Sequence, residues 1–235
     1  MLTLIRAESA LETIPKELWG HPEVRSHSKR RGKSPSQMLL DRSYHHHAMR
    51  SLKDGLKRGR PDIVHLCLLA ALGSPLNREG LLRLYVHTIN DHVISIAPET
   101  RLPKNFNRFV GLMEDLFEHG RVPPSGEPLL TLQAKALSSL IDELKPSYIV
   151  MFDRPGEAKT VEEAVSSLAM HERPAAIVGA FPHEGFSEKA LSLANEVVCV
   201  DREVLDAWVV VSRVIYEYER AVGLPRRRLG GHGGV

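Results

Sequence analysis

The feature that most constrains the fold is a regular alternation of short apolar segments and longer amphipathic segments in the second half of the chain. This pattern predicts strands at Tyr148–Phe152, Ala175–Gly179 and Glu196–Val200, and helices near 132–144, 160–170, 187–193 and 203–220. Strands that alternate with helices are typical of a parallel sheet with right-handed crossovers and helices on its faces. The chain is therefore predicted to be an α/β protein.

The first half of the chain has a less regular pattern. A strand is predicted over Met1–Arg6, followed by a helix from about Glu8 to Leu18. Residues 20–36 are rich in Gly, Pro, Ser and Arg and show no periodicity, which predicts a basic loop.

Three further elements are predicted before residue 120. Asp62–Gly73 is predicted to be a buried helix, because Pro61 suits its first turn and Gly73 suits its end. Two alternating segments within 80–98 meet at Asn90-Asp91 and predict an inserted β-hairpin. Apolar residues recur at helical spacing over Lys104–His119.

Length and composition limit the class of protein. The 235 residues allow one large domain or two small ones, and we expect one domain over 1–222 with a flexible tail over 223–235. Both cysteines, Cys67 and Cys199, lie in apolar runs and are predicted to be buried thiols in a reducing compartment. The sequence contains neither a secretory leader pattern nor an apolar stretch of about 18 residues, so we expect a cytoplasmic protein.

The overall net charge of +2 conceals an uneven distribution. Residues 1–110 contain 18 Lys and Arg against 10 Asp and Glu, whereas residues 111–235 contain 13 against 19. The basic residues concentrate in three clusters, at 25–33, 53–60 and 101–108. Basic clusters of this kind favour phosphate ligands, so nucleic acid is the expected partner of the first half.

Several common enzyme motifs are absent from the sequence. There is no GxGxxG motif, P-loop, HExxH motif or paired CxxC, which leaves the usual nucleotide-binding and zinc functions without support. The run His45-His46-His47 is not expected to bind a metal, because adjacent side chains cannot all point at one ion from a regular element. We expect no metal site.

Two basic segments carry the candidate RNA-facing chemistry. Arg60 and Asp62 flank the proline that begins a helix, so the carboxylate can orient the guanidinium; an ordinary helix-capping role for Asp62 is the alternative. Arg101, Lys104 and Arg108 recur at spacings of three and four before and within the next helix. If helical, that spacing places three positive charges at a helix N-terminus, where the macrodipole disfavours them and a bound phosphate would compensate.

Two C-terminal turns are candidates for a small-molecule cleft. Ile177–Pro182 and Val198–Leu205 each end a predicted buried strand. Ligands of parallel α/β sheets bind beyond the carboxyl ends of the strands, so these turns predict a cofactor site without identifying the cofactor.

Four segments together resemble one family. They are Arg60-Pro-Asp-Ile-Val-His65, Asn77-Arg-Glu-Gly-Leu-Leu-Arg-Leu-Tyr-Val-His-Thr88, Arg101-Leu-Pro-Lys-Asn-Phe-Asn-Arg-Phe-Val-Gly-Leu-Met113 and Val178-Gly-Ala-Phe-Pro182. The chain is similar in these segments to the SPOUT-class ribosome-biogenesis pseudouridine N1-methyltransferases, in their archaeal form. Lys104 stands where that family often has Arg, which keeps the charge but removes a bidentate fork.

The resemblance implies a SPOUT-type α/β knot with a C-terminal trefoil, a homodimer, and S-adenosylmethionine as cofactor. It places the cofactor against Gly179, Glu184, Val200, Asp201, Arg202, Glu203, Val204 and Leu205. It also implies that Arg60, Arg101, Lys104 and Arg108 contact small-subunit ribosomal RNA and that Asp62 positions Arg60.

The activity that the resemblance implies is methyl transfer to N1 of a pseudouridine extruded from an RNA hairpin loop, during small-subunit biogenesis. Within it, Arg60 and Asp62 are the expected catalytic pair, with Asp62 either orienting Arg60 or acting as the general base. The alternatives are a non-catalytic rRNA-binding assembly factor and a methyltransferase of another rRNA nucleotide.

Overall fold

A computed structural model describes residues 1–230, in which a mixed sheet of eight strands is flanked by helices on both faces. The strands are β1 (Leu2–Ser9), β2 (Leu82–Thr88), β3 (His92–Ile96), β4 (Arg121–Val122), β5 (Leu130–Ala134), β6 (Tyr148–Ala158), β7 (Pro174–Gly179) and β8 (Glu196–Cys199). Their order across the sheet is β4-β5-β3-β2-β1-β7-β6-β8. The five strands from β2 to β8 in that order run parallel, which confirms the predicted parallel α/β sheet.

Ten α-helices surround this sheet in the described part of the chain. They are α1 (Pro22–Arg31), α2 (Arg42–His45), α3 (Pro61–Gly73), α4 (Pro75–Arg78), α5 (Phe106–His119), α6 (Leu137–Leu144), α7 (Val161–Ala169), α8 (Glu188–Leu191), α9 (Ala207–Ala221) and α10 (Leu224–Gly230). The main apolar core lies under α3, α5, α7 and α9, and a second core packs α6 and α8 on the opposite face. A third, smaller cluster lies between residues 14 and 52.

The predicted hairpin is present but is not an insertion. β2 and β3 pair antiparallel through the turn at Asp91, whose φ of +53° fits the expected turn chemistry. However, β2 also pairs in parallel with β1, so it is an integral strand of the central sheet. The antiparallel strands β3, β5 and β4 extend the sheet beyond it.

The predicted basic loop at 20–36 is wrong, because most of it forms α1. The Nδ1 atom of His21 accepts a hydrogen bond from Glu23 N, Pro22 occupies the first position, and Gly32 ends the helix at φ +63°. Two basic residues at the C-terminal end of α1 pair with a carboxylate of the distant helix α5. Arg31 and Lys33 each lie 2.8 Å from the buried Glu114. The sequence window alone did not show this partner.

The predicted helix from Glu8 to Leu18 is also wrong. Glu8 and Ser9 complete β1, and only Lys16–Leu18 forms a single 3-10 turn. The main chain between them pairs with other segments, as Ala10 N donates to Ala180 O and Ile14 N donates to Met38 O, both at 2.9 Å. These non-local hydrogen bonds replace the helical ones.

Two boundaries in the second half also differ from expectation. The helix predicted near 132–144 begins only at Leu137, because residues 130–134 pair with β3 as strand β5. Residues 224–230 of the predicted flexible tail form α10, whose Leu224 is buried against the main core. The rest of that tail, 231–235, lies outside the described residues.

Candidate functional site at the start of α3

Arg60 and Asp62 form a two-point ion pair at the beginning of α3. Arg60 Nε donates to Asp62 Oδ1 at 2.8 Å, and Arg60 Nη2 donates to Asp62 Oδ2 at 2.7 Å. Pro61 starts the helix without needing a hydrogen-bond acceptor, and Arg60 N donates to Ala10 O at 3.2 Å. The pair is therefore anchored beside the carboxyl end of β1.

The free edge of Arg60 faces outward. About a third of the Arg60 side chain is exposed, and within residues 1–230 its Nη1 atom has no acceptor. No main-chain N–H in the same range donates to Asp62, so the carboxylate orients the guanidinium and does not cap the helix through a side-chain bond. Asp62 thus fixes one edge of the fork and leaves the other edge available to a ligand.

Surrounding charge keeps Arg60 protonated. The pKa of Arg60 is raised above its ordinary value, first by its hydrogen bonds to Asp62 and, against the effect of partial burial, by the charges of Asp62, Asp41 and Asp206. Asp206 directly precedes α9 and follows the predicted cofactor turn. The predicted RNA-side pair and the predicted cofactor turn are therefore close enough to interact electrostatically.

The three cations around the start of α5, Arg101, Lys104 and Arg108, are exposed, but they do not share a helical face. α5 begins at Phe106, so Arg101 and Lys104 lie in an irregular lead-in and only Arg108 is helical. The side chain of Asn105 caps the helix by accepting a hydrogen bond from Arg108 N at 3.2 Å. The expected stripe along one helix face is wrong, although all three side chains still reach solvent.

His65 ties this basic segment to α3. Its Nε2 atom contacts Pro103 O at 2.7 Å, and its ring stacks on Phe109 with 4.3 Å between centroids. Since His65 lies one helical turn after Asp62, the lead-in to α5 is held near the Arg60 pair. The two RNA-facing segments predicted separately are therefore neighbours in space.

Gly179 ends β7 in a crowded turn. Its carbonyl accepts a hydrogen bond from Arg6 Nη2, and a Cβ placed on it would lie 2.6 Å from the Phe181 ring. A side chain at this position would therefore displace the ring, which explains why the turn uses glycine.

The turn at 200–205 follows β8 and presents main-chain donors. Val200 and Leu205 pack against the main core, whereas Arg202, Glu203 and Val204 are exposed. Asp201 Oδ1 accepts from Glu203 N at 3.0 Å and shapes the turn. In the part of the chain that is described, the N–H groups of Val200, Arg202, Val204 and Leu205 have no protein acceptor.

Three chain connections meet at this end of the sheet. Phe186 N, in the connection after β7, donates to Asp153 Oδ2 in β6 at 2.8 Å. A Cβ on Gly156 would lie 2.4 Å from Val198 N, which shows how closely β6 passes the backbone of β8. Lys159 N also donates to Cys199 O at 3.1 Å. Because β7 and β8 both run parallel to β6, Gly179 and the 200–205 turn lie at the same edge of the sheet.

Glu184 lies in the connection after β7. It has φ +68° and borders a cleft of about 450 Å³ at the ends of β1 and β2, together with Glu8 and Lys57. Glu8 accepts hydrogen bonds there from Lys57 Nζ and Ser187 N, both at 3.2 Å. This contact fastens the connection after β7 to β1, and the sequence reasoning missed it.

Arg6 is a second residue that the sequence reasoning missed. It is fully buried, and its Nε and Nη1 atoms have no partner among residues 1–230. Burial lowers the pKa of Arg6 below its ordinary value, and the nearby Cys67 opposes that shift. The sequence signal was a charge directly after the apolar run Leu2–Ile5.

Residues 1–230 contain neither a cluster of candidate metal ligands nor a helix suited to span a membrane. No group of three or more His, Cys, Asp and Glu side chains in that range has a metal-binding arrangement. None of the helices described is long and apolar enough to cross a membrane.

Comparison with known proteins identifies the family. The family described as EMG1/NEP1 methyltransferase matches residues 4–219. The chain is 47% identical over 215 residues to "Ribosomal RNA small subunit methyltransferase Nep1" of Staphylothermus marinus, covering 91% of this chain and 93% of that protein. It is 50% identical over 219 residues to the protein of the same name from Thermococcus sibiricus, covering 93% and 98%.

A solved structure extends the match to the fold. The crystal structure of Archaeoglobus fulgidus Nep1 bound to S-adenosylhomocysteine superposes with a TM-score of 0.83 at 40% identity, covering 94% of this chain and 98% of that one. The chain therefore belongs to the EMG1/NEP1 methyltransferase family.

Proposed function

We propose that this protein transfers a methyl group from S-adenosylmethionine to N1 of a pseudouridine in small-subunit ribosomal RNA. The observation that carries this proposal is the Arg60–Asp62 pair, which presents a charged, oriented donor edge within the electrostatic influence of Asp206, the residue after the 200–205 turn. The names of the relatives support the substrate class, and the S-adenosylhomocysteine in the Archaeoglobus fulgidus structure supports the cofactor.

Arg60 has the properties that the target base requires. N1 of pseudouridine carries a proton, so negative charge develops on the uracil ring as that proton is lost to solvent, and this charge is neutralised when the methyl group transfers to N1. The free Nη1 edge of Arg60 is positioned to donate hydrogen bonds to a uracil oxygen as this charge appears. Asp62 is a positioning residue in this scheme, because both of its oxygens already accept from Arg60.

The cofactor fits the turns after β7 and β8. When bound, S-adenosylmethionine supplies an electrophilic methyl group on its sulfonium. Gly179 allows close approach of the backbone, and the unpaired N–H groups of the 200–205 turn suit the polar edge of a nucleoside. We propose Gly179 and residues 200–205 as contacts, and we retain Glu184 as a prediction.

The exposed side chains of Arg101, Lys104 and Arg108 are proposed to bind RNA phosphates. They precede or begin α5, and the contact between His65 and Pro103 holds them near Arg60. Phosphate contacts there would place the loop of an RNA hairpin over the pair without reading its sequence.

Matched RNA hairpins test the activity. Hairpins that differ only in carrying uridine or pseudouridine in the loop are incubated with the protein and S-adenosylmethionine, and the products are measured by mass spectrometry. We expect a mass increase of one methyl group on the pseudouridine hairpin alone. Equal methylation of both would contradict N1 specificity, and RNA binding without methylation would favour a non-catalytic assembly factor.

We also propose that the chain forms a trefoil knot within a single domain, which extends beyond the predicted boundary at 222 because Leu224 of α10 packs in the main core. β8 lies at the sheet edge beyond β6, yet α9 returns across the sheet to pack against α3 and α7. The contacts of β6 with the connection before β8 and with β8 itself support a threaded arrangement.

A homodimer is proposed from an apolar stripe on α3. Leu66 is 39% exposed, and Leu69, Ala70 and Gly73 follow at the spacing of one helix face. An exposed apolar stripe on an otherwise buried helix is typical of a subunit interface. The stripe begins one turn beyond Asp62, so a second subunit would cover the edge of the site.

A further inference from the structure

The search for unassigned sites leads to a cleft between α1, α2 and the start of α5, which has no role in the proposed reaction. Its volume is about 420 Å³, and its walls include three aromatic rings, those of His27, Tyr44 and Phe106. A cleft of this size with aromatic walls is typical of sites for small planar ligands.

Tyr44 forms a firmly supported platform in this cleft. Tyr44 is 46% exposed, and its ring packs on the His27 ring with 4.3 Å between the centroids. His27 is fixed in turn, because its Nδ1 lies 2.9 Å from His45 Nε2. His45 Nδ1 accepts from Asp41 N at 3.1 Å, so the His45 proton is on Nε2 and is donated to His27.

The mouth of the cleft is cationic. The Arg30 guanidinium lies over the Tyr44 ring, 5.5 Å from its centroid, and Arg30 is exposed. The Asp41 carboxylate also lines the cleft, where it is buried and accepts a hydrogen bond from Ser43 N at 2.8 Å. The buried carboxylate of Glu114 does not offset the charge of Arg30, because it is already paired with Arg31 and Lys33. An exposed aromatic ring beside an arginine is suited to an unstacked nucleobase, and the charge of Arg30 suits the phosphate attached to it.

The cleft lies beside the proposed target site. Arg42 N donates to Gly59 O at 2.9 Å, which places α2 directly against the residue before Arg60. On the other side, Phe106 and Asn107 line the cleft, and the next residue is Arg108. A strand of RNA that spans Arg60 and Arg108 therefore passes this opening.

We propose that this cleft binds a second nucleobase, unstacked from the RNA next to the target nucleotide and held on Tyr44 and Arg30. The inference rests on the proposed function and deepens it, since it assigns to α1 and α2 the recognition of the RNA sequence around the target.

The test uses the pseudouridine hairpin and variants in which each other loop nucleotide is replaced in turn by an abasic residue. Affinity is measured by fluorescence anisotropy with S-adenosylhomocysteine present. We expect one abasic position to weaken binding to the natural protein about tenfold, and Tyr44→Ala to weaken binding of the unmodified hairpin by a similar factor. In Tyr44→Ala, the same abasic substitution should weaken RNA affinity less than twofold, because the base that it removes no longer has a ring to stack on.

Further variants separate stacking from folding. Tyr44→Phe keeps the ring and should bind like the natural protein, whereas Tyr44→Leu keeps apolar packing on His27 and should bind weakly. Tyr216→Ala removes a comparably exposed tyrosine on α9 and should bind normally. Unaltered RNA affinity in both Tyr44→Ala and Tyr44→Leu, with binding still weakened in Arg101→Ala, would overturn the cleft and leave the proposed function standing. Absence of both RNA binding and methylation in the natural protein would instead overturn the proposed function, and the cleft with it.

Discussion

Arg60 and Asp62 are joined through both oxygens of one carboxylate and two nitrogens of one guanidinium, although only the proline that starts α3 separates them in sequence. A fork held in this way loses little rotamer freedom when it binds a ligand, because the ion pair already orders it. In the proposed reaction the pair therefore separates two roles: Arg60 meets the base, and Asp62 orients Arg60.

Arg60→Ala is expected to lower kcat about a hundredfold while weakening hairpin affinity much less, because its charge acts on the developing transition state. Arg60→Lys should recover only part of the rate, since it keeps the charge but not the fork. Single-turnover methylation and equilibrium binding measure the two quantities. A loss confined to affinity would contradict the assignment.

Asp62→Ala should reduce kcat in the same direction by about tenfold, because the fork remains but is no longer oriented. Its effect on the free energy of unfolding should be no more than about 1 kcal/mol, since the carboxylate makes no side-chain cap and the variant loses only a partly exposed ion pair and a charge in the first helical turn. Urea unfolding of the variant provides the check. A normal rate in Asp62→Ala would show that Arg60 is oriented by other contacts.

Replacing Arg101, Lys104 or Arg108 with alanine should weaken RNA binding irrespective of loop sequence. The slope of log affinity against log salt concentration should fall by about 0.7 for each lost contact to a single-stranded phosphate. Arg173→Ala is the matched control, because Arg173 is exposed at the opposite, amino end of β7. An unchanged slope in Arg101→Ala would assign that side chain to a protein surface.

Leu66→Glu should convert the proposed dimer into a monomer of 26.2 kDa in light scattering. A carboxylate at the centre of an apolar interface loses its hydration without gaining a partner, which opposes association. The helix itself should persist by circular dichroism, because Leu66 reaches solvent within the subunit. Met170→Glu changes a more exposed apolar residue and should leave the mass unaltered; a dimeric Leu66→Glu protein would exclude the α3 stripe as the interface.

Acid should destabilise the protein through His45. Burial, aided by the charge of His27, lowers the pKa of His45 from 6.5 to about 4. Between pH 6.5 and pH 4 the unfolded chain binds a proton at His45 and the folded protein does not. The contribution of neutral His45 to the free energy of unfolding is therefore fully present above pH 6.5 and falls by roughly 3 kcal/mol as the pH approaches 4.

The variant His45→Asn isolates this contribution, because its side-chain oxygen can still accept from Asp41 N but does not titrate. Urea unfolding at pH 7.5 and pH 4.5 should show a smaller difference in His45→Asn than in the natural protein. The carboxylates contribute equally to the natural protein and to His45→Asn. If the difference in the free energy of unfolding between pH 7.5 and pH 4.5 were the same in both, folding would not oppose protonation of His45.

The sequence by itself determined the elements whose signals are local. The Pro61 start and apolar character of α3, the helical spacing in α5 and the alternation of strands and helices beyond residue 148 each depend on neighbours a few residues apart. The functional assignment was also local, because the Arg60–Asp62 spacing and the segment from Arg101 to Met113 are contiguous motifs.

The tertiary structure alone decided the features that depend on distant partners. α1 was mistaken for a loop because Glu114, which neutralises its end, lies more than 80 residues away. The segment after β1 was mistaken for a helix because its hydrogen-bond acceptors belong to residues such as Ala180. Likewise, only tertiary packing brings Tyr44 of α2 to the same cleft as Phe106 and Asn107 of α5. Periodicity reports which face of an element is apolar, but the free energy of pairing one main-chain segment with another depends on contacts that no local window contains.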